Sequence, residues 1–149
     1  MKDDFTILVA DDDQNDAILL EKAIRANDIQ NPLRFVRDGH EAIDYLEGSG
    51  KYSDRGKYPF PHVIISDLKM PRLSGLEFLE WLRKHPRCFV LPMILMSGSG
   101  LPSDVERAYR LGVNSYFQKP ASFQELVSVI GTAYRYWERA EVVKLDYHP

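Results

Sequence analysis

Short apolar runs at residues 6–9, 33–36, 63–66, 93–96 and 115–117, rich in Ile, Val and Leu, punctuate this chain. A strand wet on one face alternates apolar with polar side chains, whereas a strand covered on both faces does not. These runs lack the alternation and read as buried strands of a parallel sheet. Helical spacing fills the gaps between them. Ala17, Leu20 and Ile24 form one stripe, Ala42, Ile43 and Leu46 a second, and Leu76, Leu79 and Leu82 a third that stops before Pro86. Residues 105–111 form a fourth, with Ser103 or Asp104 available as N-cap and Gly112 at the end, and a fifth helix begins near Ser122. Strands and helices in strict alternation predict an α/β fold, a doubly wound five-stranded parallel sheet with right-handed crossovers. Such a sheet places its ligands at the carboxyl ends of the strands. At 149 residues the chain is one domain's worth, and residues 1–149 are read as a single unit.

The strand ends select a specific set of side chains. The net charge of −3 is unevenly spread: residues 1–16 hold six aspartates and one base, Lys2, and carry −5, while the rest carries +2. Four of those aspartates, Asp11, Asp12, Asp13 and Asp16, directly follow the first apolar run. Carboxylates crowded there repel one another unless a cation or a phosphate-handling partner system uses them. The third strand delivers Asp67, the fourth ends at Ser97, and the fifth is followed by Lys119-Pro120. The topology gathers Asp11, Asp12, Asp67, Ser97 and Lys119 in one pocket. Oxygen ligands in that number suit a hard cation such as Mg²⁺. A carboxylate beside a cation can attack phosphorus to give an acyl phosphate, with Lys119 neutralising the phosphoryl oxygens. Asp13 and Asp16 are read as serving the start of the first helix, Asp13 as its N-cap, and Asp3 and Asp4 as a solvated terminus.

Several other readings fail on the residues. The single cysteine, Cys88, cannot form an intramolecular disulfide, and no Cys/His set has zinc-finger spacing, which points to a reducing, cytoplasmic compartment. The longest apolar run, residues 89–96, contains Pro92 and is too short to span a bilayer. The acidic N-terminus argues against a secretory signal, and the absence of a Lys/Arg run argues against direct nucleic-acid binding. Asp11-x-Asp13-x-Asn15 fails as an EF-hand because Asp16 stands where glycine belongs and Lys22 where glutamate belongs. Gly48-Ser-Gly-Lys51 fails as a phosphate loop because Tyr45 and Tyr52 occupy its flanking positions. His40, His62, His85 and His148 are scattered, and none sits in a phosphoacceptor pattern, so a phosphodonor would be another protein. Cys88 is read as an inert packing residue.

Asp11-Asp12 after the first strand, Asp67-Leu-Lys-Met-Pro71 with Gly75, Ser97-Gly98, and Tyr116-Phe-Gln-Lys119-Pro120 together resemble the receiver domain of two-component response regulators, over residues 6–135. The resemblance implies a flavodoxin-like receiver fold whose Asp67 accepts phosphate from a sensor histidine kinase. It also implies Mg²⁺, or Mn²⁺, held by Asp12 and Asp67 directly, by the backbone carbonyl of Lys69, and by Asp11 through water. Ser97 would be the switch hydroxyl that moves to the phosphoryl oxygen, and Tyr116 the aromatic that follows it. Lys119 would pair with the phosphate, aimed by a cis Lys119–Pro120 peptide. The protein would assist its own phosphorylation and dephosphorylation and otherwise not be an enzyme. Two alternatives stay open: a small Mg²⁺-dependent aspartyl-phosphate hydrolase, and a receiver-fold interaction module that is never phosphorylated.

Residues 48–61, with three glycines and two prolines, read as a surface loop insertion. In the last helix Phe123, Leu126, Val127, Ile130, Tyr134 and Trp137 read as the core stripe. Val129, Ala133, Tyr136 and Ala140 form a second stripe, continued by the apolar residues of a C-terminal extension, 136–149. The loop and tail resemble those of stand-alone regulators paired with bacterial and cyanobacterial phytochrome kinases. That implies a phytochrome as the kinase and a homodimer through the last helix and tail. With no effector domain expected after residue 149, the output would be protein contact or phosphate relay.

Overall fold

A computed structural model describes residues 4–145; the expectations for Asp3, His148 and the residues after 145 lie outside them. Five strands alternate with five α-helices: β1 Ile7–Ala10, α1 Gln14–Ala26, β2 Leu33–Val36, α2 Gly39–Glu47, β3 Val63–Ser66, α3 Gly75–Lys84, β4 Met93–Ser97, α4 Pro102–Arg110, β5 Ser115–Gln118 and α5 Phe123–Arg139. The strands form one parallel sheet in the order β2-β1-β3-β4-β5. This is the expected doubly wound fold. Every residue of β1, β3 and β4 is buried, which is why their sequences show no polar alternation.

Two cores flank the sheet. One side packs Leu8, Ile64, Met93 and Leu95 against α2 and α3 through Tyr45, Leu46, Phe78, Leu79 and Leu82. The other packs Ile7, Val9, Ile65 and Ile94 against α1 and α5 through Leu20, Ala23, Ile24 and Ile130. Cys88 is fully buried in the first core, and burial pushes its thiol up to about 11, in keeping with a packing role.

Three local expectations are corrected. Helix α4 starts earlier than the spacing suggested, with Pro102 in its first turn, where a missing N–H costs nothing, and Leu101 as its N-cap. Asp104, released from capping, accepts a 2.6 Å bond from the Ser99 hydroxyl. On α5, Phe123 is exposed, while Val129 and Ala133 pack against the α1-side core, because the buried face is centred on Ile130 and Gly131. Residues 48–61 are not irregular throughout: Gly50–Ser53 forms a 3-10 turn that buries Tyr52, whose hydroxyl donates to Glu41 at 2.7 Å. Arg55 donates to the carbonyls of Tyr45 and Leu46 at 2.7 and 2.8 Å, satisfying acceptors at the end of α2.

After α5 the chain leaves helical geometry, and Leu145 packs against the α2–α3 core, opposite the side on which α5 lies. Strand β5 is an edge strand, and its Tyr116 N–H donates to the Tyr109 hydroxyl of α4 at 3.1 Å. Among the described residues no helix is long and apolar enough to cross a membrane.

Candidate functional site

Strand register brings the acidic residues together. Ala10 of β1 pairs with Ser66 of β3, so the next residues, Asp11 and Asp67, leave the sheet side by side; the Asp67 N–H donates to the Ala10 carbonyl at 2.8 Å. On the far side, the Lys119 N–H donates to the Ser97 carbonyl at 2.7 Å, which fixes the backbone from which the lysine reaches back. Its Nζ lies 3.1 Å from Asp11 Oδ2, 3.0 Å from Asp67 Oδ2 and 2.9 Å from Asp16 Oδ2. Asp16 does stand in the first turn of α1, as expected, but its carboxylate also reaches Lys119, in the pocket that the sequence assembled without it. Its signal was present, since Asp16, Leu20 and Ala23 recur at spacings of four and three on the buried face of α1.

The remaining oxygens have separate tasks. Asp11 Oδ1 accepts the Asp13 N–H at 2.9 Å, and Asp13 caps α1 by accepting from the N–H groups of Asn15 and Asp16, as expected. Asp67 Oδ1 accepts the Leu68 N–H at 2.7 Å and, at 3.4 Å, that of Lys69, whose side chain is exposed. Burial pushes the Asp11 carboxyl above its ordinary value, with the Asp67 charge adding to it, against the pull of the Asp13 N–H and of Lys119. For Lys119 burial alone would lower the ammonium, but the Asp16 hydrogen bond and the charges of Asp67 and Asp11 outweigh it and hold it above the ordinary lysine range.

One ammonium thus faces three carboxylates, and Asp12, exposed, has no protein hydrogen bond among the described residues. Carboxylate oxygens of Asp11, Asp12 and Asp67 all lie within 4.8 Å of one another. An all-oxygen donor set with uncompensated negative charge fits a hard divalent cation, and the geometry holds two of the three carboxylates in place from behind.

Ser97 is buried at the end of β4, and its Oγ accepts the Ser99 N–H at 3.1 Å. The Tyr116 hydroxyl donates to the Ser99 carbonyl at 2.8 Å. Ser99, which the sequence did not single out, therefore bonds to Ser97, Tyr116 and Asp104 together. Gly75 is required by a close approach: a Cβ there would stand 2.0 Å from the Asp67 carbonyl oxygen. The expected cis peptide is corrected. No peptide among the described residues is cis, and Lys119 reaches all three carboxylates from the intrinsically favoured trans bond to Pro120.

Comparison with known proteins agrees with this geometry. Residues 7–131 match the family model of the response regulator receiver domain. Response regulator Rcp1 of Synechocystis is 28% identical over 88% of this chain and 87% of its own. Its Mn²⁺-bound crystal structure superposes with a TM-score of 0.83 at 26% identity, covering 94% of this chain and 99% of that one. The crystal structure of response regulator RPA3017, in red light signalling of R. palustris, has a TM-score of 0.90 at 33% identity over 95% of this chain and 99% of that one. The phosphorylated cyanobacterial phytochrome response regulator RcpA has a TM-score of 0.86 at 27% identity, with the same coverages.

Proposed function

Since the chain belongs to the response regulator receiver family, we propose that its phosphoacceptor is Asp67, taking a phosphoryl group from a histidine kinase. The observation that carries this assignment is the Asp67 carboxylate held by Lys119 on one oxygen and by backbone N–H groups on the other, beside Asp11 and Asp12. One Asp67 oxygen attacks phosphorus while the bond from phosphorus to the histidine nitrogen breaks, its electron pair leaving with that nitrogen. Lys119 neutralises phosphoryl oxygens as they arrive. Asp12, Asp67 and the Lys69 carbonyl directly, and Asp11 through water, would hold Mg²⁺ or Mn²⁺, which supplies further positive charge there when bound. The Mn²⁺-bound form of Rcp1 supports this reading.

In this proposal the Ser97 hydroxyl leaves the Ser99 N–H for the new phosphoryl group, and Tyr116, bonded to the same residue, responds with it. The output is a changed protein-contact surface around α4, β5 and α5, and the chemistry ends with hydrolysis of the protein's own acyl phosphate. Similarity to the phytochrome response regulator RcpA and to RPA3017, of red light signalling, supports a phytochrome-type kinase as donor, and the proposal places the exchange in the cytoplasm. Exposure of Tyr136 supports a homodimer through the last helix and tail.

Incubation with Mg²⁺ and acetyl phosphate, followed by intact mass measurement, tests the assignment. The wild type gains one phosphate and Asp67→Asn gains none; an unlabelled wild type, or equal labelling of the variant, refutes it.

A further inference from the structure

The loop that follows Asp67 contains an unusual backbone. Arg72 has φ +65°, and the Leu73 N–H donates to the Pro71 carbonyl at 2.7 Å, closing a three-residue turn about Arg72. With a positive φ at its centre this is the rare, strained hand of the γ-turn, and arginine has none of the local hydrogen-bonding that lets Asn or Asp occupy such a conformation. A strained residue persists only where its surroundings over-determine it.

The surroundings are specific. The Arg72 guanidinium grips Asp38 with two nitrogens, Nε at 3.1 Å from Oδ2 and Nη2 at 3.3 Å from Oδ1. Asp38 is buried and rigid because its Oδ1 also caps α2, accepting the Glu41 N–H at 2.9 Å. Beside this grip the Gly39 N–H donates to the Leu73 carbonyl at 3.0 Å, an approach so close that a Cβ on Gly39 would stand 2.7 Å from that oxygen. The β2–α2 connection that carries Asp38 is itself tied to the acidic pair, since the Asp11 N–H donates to the Val36 carbonyl at 3.0 Å. Two loops meet through the Asp38–Arg72 contact: one leads back to Asp11 and Asp12, the other to Asp67 and Lys69.

We propose that Arg72 is a positioning residue for the cation site: by gripping Asp38 it holds the turn after Asp67 in its strained form and so sets the Asp67–Lys69 loop against Asp11 and Asp12. The inference rests on the proposed function, because the site it positions is the one that reading assigns.

Calorimetric Mg²⁺ titration of the full chain at 0.15 M ionic strength, with thermal melts alongside, tests it. Arg72→Ala keeps the Cβ in a left-handed backbone and removes the grip; Asp38→Asn breaks the charge pair while retaining an oxygen to cap α2. Each weakens Mg²⁺ binding by about two- to fivefold, and the double variant is no weaker than either alone. Arg72→Asn, whose side chain tolerates the turn without the grip, recovers most of the loss. Charge alone would act differently, since removing a cation near carboxylates tightens Mg²⁺ binding. Wild-type or tighter affinity in Arg72→Ala overturns the inference, as do losses that add; should that variant fail to fold, Arg72→Met, which likewise removes both the grip and the cation, decides in the same way. A wild type that binds no Mg²⁺ overturns this inference together with the proposed cation site, and Mg²⁺-bound wild type that takes no phosphate overturns the phosphoacceptor reading alone.

Discussion

Aspartates that look alike in sequence have separate duties here. Asp13 caps a helix, Asp16 and Asp11 hold Lys119, and Asp12 faces solvent with no protein partner among the described residues. Replacing Asp12 therefore separates metal binding from folding. Asp12→Asn is expected to leave the metal-free melting temperature within about 2 °C of wild type. Mg²⁺ at about a hundred times its dissociation constant stabilises the wild type by about 2.7 kcal/mol, and the variant loses most of that gain. Calorimetric melts with and without the cation measure both. The acidic residues at the strand ends were legible because topology alone sends them to one rim. Asp16 was passed over, although its spacing from Leu20 and Ala23 turns it toward the sheet, because the first-turn position had a sufficient local explanation.

At the scale of elements, strands were easier to read than helix ends and faces. A strand buried on both sides writes its burial into every residue, as β1 and β3 do. A helix end is settled by competition: Ser103 and Asp104 are both good caps, yet Pro102 fits the first turn and Asp104 is drawn to Ser99. The faces of α5 were ambiguous because Leu126, Val127, Val129 and Ala133 are all half-buried, giving no sharp boundary for spacing to detect. The start of α3 has no such latitude. Gly75 lies against the Asp67 carbonyl, and its N–H donates to the Leu68 carbonyl at 2.8 Å. Gly75→Ala forces the loop after Asp67 and the helix apart, at a cost of about 1–3 kcal/mol in urea unfolding and, on the proposed role of Asp67, with slower phosphorylation.

At the scale of the whole molecule, the apolar C-terminal segment is the part expected to meet another copy of the chain. The structure divides it: Trp137 and Leu145 pack against the chain's own cores, while Tyr136 remains 65% exposed. On the proposed homodimer, the wild type sediments as a dimer at tens of micromolar and Tyr136→Glu as a folded monomer; a monomeric wild type refutes the dimer. A dimer that survives the substitution places the contact elsewhere. The sheet edge narrows the geometry of any such assembly. The amide of Tyr116 points outward from β5, where an intruding strand would seek its first ladder bond, and the Tyr109 phenol already occupies it. A sheet plugged at its rim in this way resists growth by strand addition. In a concentrated solution the chain is guarded at that edge against the templated stacking that leads to fibres.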